Sequence, residues 1–258
     1  MWRIMSALAR TVPAWRWQSF EGPDGGAFVL DICDPGCGHY AVGGWGLREI
    51  SAALDDLPAD SVAVDVGANV GVWTRVMARR FPKGRVFAFE PSPQTYEALC
   101  RNSSTFGNIQ CIQSAVGAAT GTVSFSGTRT PSALRRIQAN ETNRETRVPC
   151  ITLSEWMDQH LTRLDFLKVD VEGFEADVLV PALPRLRTMR TRILFEFIPD
   201  LVERQEMRNG SLLEVMRDSG WTVHRLDQEG HWSAAHVRPD IWSNNYIAFP
   251  ETKRHPVR

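Results

Sequence analysis

From residue 45 onward the chain alternates short apolar, β-branched runs with segments whose apolar positions recur at helical spacing. The spacing predicts a helix over 47–54, stopped ahead of Pro58. Residues 61–71 hold four valines, at 62, 64, 66 and 70, and read as a buried parallel strand that turns into a helix over 72–80. The alternation continues with a strand at 84–90, a helix at 93–102 and a strand at 109–113. Residues 121–126 show strand alternation, and a capped helix opens at Thr152. A fourth core strand is expected over 164–170 and a fifth over 192–197. A helix over 211–219, stopped by Gly220, precedes a strand at 221–226, and the strand at 245–249 is expected to complete a hairpin pair at the sheet edge. Strands alternating with helices of this length imply a parallel sheet covered on both faces.

Two segments break the pattern. Residues 129–147 carry five arginines and two glutamates with little periodicity, so they read as a lid or a solvated insertion. Residues 1–20 combine Arg3, Arg10 and Arg16 with Trp2, Trp15 and Trp17 and no acid. Packing of these tryptophans on their own domain is the favoured reading, ahead of a surface helix that meets a membrane or a second subunit, and a homodimer stays open. Residues 27–32 read as a strand and Asp34-Pro35-Gly36 as a turn.

Composition excludes more than it assigns. The 258 residues suit one large domain with decorations, and 43% hydrophobic with 23% charged residues is ordinary for a globule. A net charge of -1 argues against a nucleic-acid partner. Five scattered cysteines argue against a disulfide framework, and no apolar run approaches the ~20 residues of a membrane span, so a cytoplasmic location is expected. Cys33, Cys37 and His39 lack a fourth ligand at zinc spacing.

The chemistry concentrates at strand ends. After the first core strand stands Asp65-x-Gly67-x-Asn69-x-Gly71, whose glycines permit a sharp turn close to a ligand. A dinucleotide fingerprint would need glycine where Asn69 and Val72 stand, which disfavours a nicotinamide-dependent oxidoreductase. The pattern resembles the first motif of Rossmann-like methyltransferases that bind S-adenosylmethionine. Asp65 suits that cofactor's ammonium, and the amides of the turn through Gly67, Ala68, Asn69 and Gly71 suit its carboxylate. Glu90 ends the second strand, where an acid can accept from both ribose hydroxyls. Pro91 and Ser92 would border the ribose or adenine, and Ser114 and Ala115 the adenine edge.

With Val64 to Gly71, Phe89-Glu90-Pro91, Ser114 to Gly117 and above all Leu167-Lys168-Val169-Asp170-Val171-Glu172-Gly173-Phe174-Glu175, the chain is similar to FkbM-type methyltransferases over about residues 45–250. The resemblance implies a Rossmann-like class I fold with a seven-stranded, mostly parallel sheet, an antiparallel last strand, and S-adenosylmethionine as methyl donor. It implies an acceptor hydroxyl on a sugar, glycoside or natural product. Residues 1–44 form an N-terminal extension and 127–148 a polar insertion, both outside the resemblance and expected to carry acceptor choice; 251–258 is a basic tail. An alternative is a methyltransferase-like module that binds without turnover. Nine tryptophans include candidates for a sugar platform.

An alcohol is a poor nucleophile, so a base is expected. Asp170 is the first candidate, with Glu172 and Glu196 able to share the task, although Glu172 equally suits capping the following helix. Asp170 and Glu196 end adjacent strands, so a magnesium ion held by both is a variant.

Overall fold

In the computed structural model the described residues are Val12, 15–22, 24–34, Cys37, Tyr40, 46–126, 136–138, 146–197, 212–235 and 244–251. His39, the turn at Pro35 and Gly36, most of the first fourteen residues, most of the 127–148 insertion and the tail beyond Glu251 lie outside them.

The domain is organised on a sheet built from β3 (Val62–Val66), β4 (Arg85–Phe89), β5 (Ile109–Ile112), β10 (Phe166–Val169), β11 (Arg192–Phe197), β12 (Trp221–Leu226), β13 (Trp232–Ala234) and β14 (Asn244–Pro250). Their spatial order is β13-β12-β14-β11-β10-β3-β4-β5. The strands from β5 to β11 run parallel, and β14 is antiparallel to both β11 and β12. Two expectations are corrected here. The last strand is not at the edge but is inserted between β11 and β12, so it pairs on both sides, and β13 adds an eighth strand as a hairpin partner of β12. Alternation along a strand reports which side chains are buried, not which neighbour a strand chooses.

Helices α1 (Leu47–Leu54), α2 (Val72–Arg80) and α3 (Pro93–Ser103) precede β3, β4 and β5. On one face of the sheet, Ile50, Ala53 and Leu54 of α1 and Met77 and Ala78 of α2 pack with Ala63, Val86, Phe166 and Leu194. On the other, α4 (Leu153–His160), α5 (Glu175–Leu179), α6 (Leu183–Met189) and α7 (Leu212–Asp218) bury Val64, Phe89, Leu167, Val169 and Phe195. Local chemistry sets the helix starts: Ser92 caps α3 ahead of Pro93, and Thr152 caps α4 by accepting from the Glu155 amide at 3.2 Å. Buried Arg192 donates to the carbonyls of Ala53 and Asp55, which satisfies the end of α1 and ties it to β11.

Two smaller sheets flank the core. One joins β6 (Ala115–Val116), β7 (Gly121–Ser126), β8 (Arg136–Gln138) and β9 (Thr146–Ile151). The segment expected to be irregular therefore contributes strand β8 and the start of β9, both paired antiparallel to β7. The other is the hairpin of β1 (Trp17–Glu21) and β2 (Ala27–Asp31). It packs Phe28 and Leu30 against Val70, Val72 and Ala98, and Asn102 of α3 bonds the Val29 amide, the Val29 carbonyl and the Val70 carbonyl. Trp17 packs into this cluster, whereas Trp15 is exposed.

Candidate active site

The chain runs outward from β3 to β4 on one side and crosses to β10 on the other, so the order reverses between β3 and β10. Ligands of open α/β sheets bind beyond the carboxyl ends of the strands at such a switch point. A cavity of about 280 Å³ lies there. Its wall follows the strand ends: Gly67, Ala68 and Asn69 after β3, Lys168 on β10 and Asp170 just after it, Glu196 on β11 and Asn245 on β14. Val72 and Trp73 of α2, with Tyr40 and Gly46, complete it.

The turn after β3 requires its glycines. Gly67 has φ 77°, and a Cβ there would sit 1.9 Å from the Asp170 carbonyl oxygen. Asn69 is also left-handed, at φ 52°, a conformation that asparagine tolerates. The amides of this turn are not presented to a ligand as expected. Gly67 and Ala68 donate to the Phe89 carbonyl, Asn69 to Glu90 Oε2, and Gly71 to the Ala68 carbonyl. Instead the uncapped N-terminus of α2, behind Gly71 at φ 92°, borders the cavity through Val72 and Trp73. Helix N-termini favour anions. Asn69 Oδ1 is buried with no partner, an acceptor ready for a ligand N–H or O–H.

Asp65 is a second correction. It is fully buried and does not line the cavity; Oδ2 accepts from Thr74 Oγ1 at 2.6 Å, and Oδ1 lies 3.3 Å from Lys168 Nζ. The parallel register pairs Asp65 with Lys168, which sets the two on one face. Lys168 is the residue that sequence reasoning missed. Its ammonium donates to the Gly67 carbonyl at 2.7 Å, lies 3.3 Å from Asp170 Oδ2, and stands over the Trp73 ring. Burial opposes its charge, yet Asp170 and Asp65 outweigh burial and hold Lys168 protonated beyond its ordinary range. A lysine inside the otherwise apolar run Phe166-Leu167-Lys168-Val169 was the available signal, because a buried cation must be paired.

Register also sets the acids. Val169 pairs with Phe195, so Asp170 and Glu196 follow side by side. Asp170, Glu172 and Glu196 each offer an oxygen within 4.8 Å of the others. Burial first, then the charges of Asp170, Glu172 and Glu175, lift Glu196 to about 9, so it keeps its proton at neutral pH. Glu172 does not cap α5. It sits at φ 56° in a left-handed turn with Gly173, and Glu175 instead reaches back to accept from the Val171 and Gly173 amides. Burial pushes Glu175 up to about 7. Burial, then Asp170, raises the Tyr40 phenol, which stays protonated.

Glu90 and its neighbours form a separate group that does not line this cavity. The Glu90 carboxylate accepts from the amides of Asn69 and Ser92, which fastens the β3 turn to the start of α3. Pro91 is half-buried, and Ser92 Oγ faces Thr95 as the cap. Ser114 and Ala115 are buried, and the Ser114 hydroxyl faces the carbonyls of Ala115 and Pro149. These bonds turn Ser114 toward the small sheet.

S-adenosylmethionine carries an ammonium, a carboxylate and two ribose hydroxyls. The lone acceptor of Asn69, the N-terminus of α2 and the Glu90 carboxylate fit those groups. For magnesium, Asp170, Glu172 and Glu196 would offer three oxygens within 4.8 Å of one another, while Lys168 beside Asp170 competes for the same charge.

The family model for the methyltransferase FkbM domain matches residues 65–222. Methyltransferase sdnD of Sordaria araneosa is 28% identical over 160 residues, covering 49% of this chain and 62% of that protein. The hexuronic acid methyltransferase AglP of Haloferax volcanii is 30% identical over 132 residues, covering 50% of this chain and 53% of AglP. The chain thus spans little more than half the length of these curated relatives. The crystal structure of methyltransferase FkbM from Methylobacillus flagellatus matches with a TM-score of 0.49 at 15% identity, covering 79% of this chain and 47% of that one. Among the described residues, no helix is long and apolar enough to cross a membrane. By the match across more than half its length, the chain belongs to the FkbM methyltransferase family.

Proposed function

We propose that the protein transfers a methyl group from S-adenosylmethionine to a hydroxyl of a sugar, glycoside or natural product. The observation that carries this reading is the pairing, on one cavity wall, of Asp170 held by Lys168 with Glu196 that keeps its proton. Pairs of acids whose environments differ in this way divide the work of base and acid between them.

The cofactor, when bound, supplies a methyl group activated by its sulfonium. The N-terminus of α2 and Asn69 would hold its amino-acid end, and Glu90 would meet its ribose. Asp170 accepts the proton of the acceptor hydroxyl as the oxygen attacks; a positioned base contributes about 10²–10⁴-fold. Lys168 keeps Asp170 oriented and links it to the Gly67 carbonyl, so base and cofactor turn move as one unit. Glu196, protonated, donates a hydrogen bond to the acceptor or to Asp170. Orientation of two reactants in one cavity supplies much of the remainder. No divalent cation enters this mechanism.

The test is transfer of labelled methyl from S-adenosylmethionine to a panel of sugar and polyketide hydroxyls, with and without chelator. Transfer that ignores the chelator is expected. Cofactor binding with no transfer to any acceptor would favour a binding module, and loss of transfer on chelation would return a metal to Asp170, Glu172 and Glu196.

A further inference from the structure

The two ends of the cavity differ in origin. Gly67, Asn69, Val72, Lys168 and Asp170 fall within the segment that the family model matches, whereas Tyr40, Gly46 and Asn245 fall outside it, one group before and one after. For Asn245 the sheet order makes the separation spatial, whereas Tyr40 packs with the cluster of Val70 and Val72 beside the start of α2. The cofactor turn follows β3, whereas Asn245 lies on β14, three strands along, in cross-strand register with Glu196 on β11. At about 4.8 Å per strand, that end stands beyond Asp170 as seen from the turn. The far end therefore suits the molecule that receives the methyl group.

Its chemistry narrows the acceptor. Asn245 Nδ2 donates to Glu49 Oε1 at 2.9 Å, which fixes the amide plane and leaves its carbonyl oxygen and second N–H for a ligand. The half-buried Trp73, whose ring carries the Lys168 ammonium and lies beside Gly46, adds indole surface at that end, of the kind that packs on a pyranose ring. Among the described residues of the wall the cation is Lys168, and it already lies 3.3 Å from each of two carboxylates. With S-adenosylhomocysteine in place, which lacks the sulfonium charge, a carboxylate on the acceptor would meet Asp170 with no cation of the described wall left to pair it, a costly arrangement in a partly desolvated site.

We propose that Trp73 and Asn245 form the acceptor subsite and that it takes an uncharged, polyhydroxylated ring, a neutral glycoside rather than a uronic acid. The subsite rests on the methyl-transfer reading but is testable apart from it. AglP, a hexuronic acid methyltransferase, would then differ from this chain in acceptor charge.

Methyl hexopyranosides and the matching methyl hexopyranosiduronates are compared in two ways on the full chain: saturation-transfer NMR with S-adenosylhomocysteine present, and methyl transfer from labelled S-adenosylmethionine. Neutral glycosides are expected to bind at least tenfold more tightly than their uronates. Asn245→Ala and Asn245→Leu are each expected to raise the acceptor KM by roughly two- to tenfold, the worth of one hydrogen bond, and to leave cofactor affinity within about twofold. Uronates that bind as well as neutral sugars, or variants that weaken cofactor and acceptor equally, would overturn the assignment. Neutral glycosides that bind but are never methylated would leave the subsite standing and sink the methyl-transfer reading. Binding of neither class, with methyl transfer to another hydroxyl intact, would sink the subsite alone.

Discussion

Two regions of this molecule bury charge, and they do so in opposite ways. Behind the N-terminal hairpin, Asp24 and Arg75 are both almost fully enclosed, and Arg75 donates to both oxygens of Asp24 and to the Ala27 carbonyl. Burial works against the Asp24 carboxylate, yet Arg75, the Gly26 amide and Arg79 bring it below its ordinary value. Around the cavity, Glu196 and Glu175 are pushed up, Asn69 Oδ1 and Glu175 Oε2 have no partner, and Asn69 and Glu172 hold left-handed backbone. Each such turn costs on the order of 1–3 kcal/mol. Charges that answer one another completely fasten a hairpin. Charges left incomplete, beside a cavity, are the ones to which the proposed methyl transfer is assigned.

The contrast is sharpest where each region is broken. Asp24→Ala leaves Arg75 as a buried, uncompensated cation, so unfolding free energy should fall by about 3–5 kcal/mol in denaturant titration, the usual result of removing one partner of a buried pair. A loss under 1 kcal/mol would mean that water reaches Arg75 in solution. Glu90→Ala removes a charged acceptor from the cofactor's expected ribose contact, and calorimetry should show S-adenosylmethionine affinity lower by about 1.5–3 kcal/mol. Unchanged affinity would leave Glu90 with only its role of fastening the β3 turn to α3.

The third effect is one of pH. Glu196 has an ordinary value of 4.5 and is lifted to about 9 in the fold, so the folded state holds a proton that the unfolded state releases. The sign follows: stability from this group is full below about pH 4.5 and is lost as pH rises through 9. Glu175, lifted to about 7, adds a loss of the same sign ending lower. Melting temperature should therefore decline from pH 5 toward 9, and Glu196→Gln should flatten that decline. A variant with the same slope as wild type would show that Glu196 is ionised at neutral pH.

Much of the fold was legible because periodicity reports burial. Helices Leu47–Leu54 and Val72–Arg80 and strands Arg192–Phe197 and Trp221–Leu226 have the bounds that their apolar spacing predicts. The place of β14 inside the sheet was not legible, since its alternation is the same at an edge or between two strands. At the site, Asp170, Glu172 and Glu196 converge as their strand-end positions imply. Asp65 looked like a cofactor ligand because an acid before a glycine turn suits an ammonium, and it does meet one, the ammonium of Lys168. Tyr40 and Asn245 left no local signal. They reach the cavity by way of the tertiary fold from opposite ends of the chain.

The central claim is that the incomplete cluster performs methyl transfer through Asp170, and the most direct measurement is the turnover of Asp170→Asn at saturating S-adenosylmethionine, with cofactor affinity measured on the same preparation. The substitution keeps the shape of the side chain and removes the charge that Lys168 pairs. Turnover should fall at least ~10²-fold, the worth of a positioned base, while cofactor affinity stays close to that of the wild type. An Asn variant that methylates at the wild-type rate would contradict the account and pass the role of base to Glu172 or Glu196.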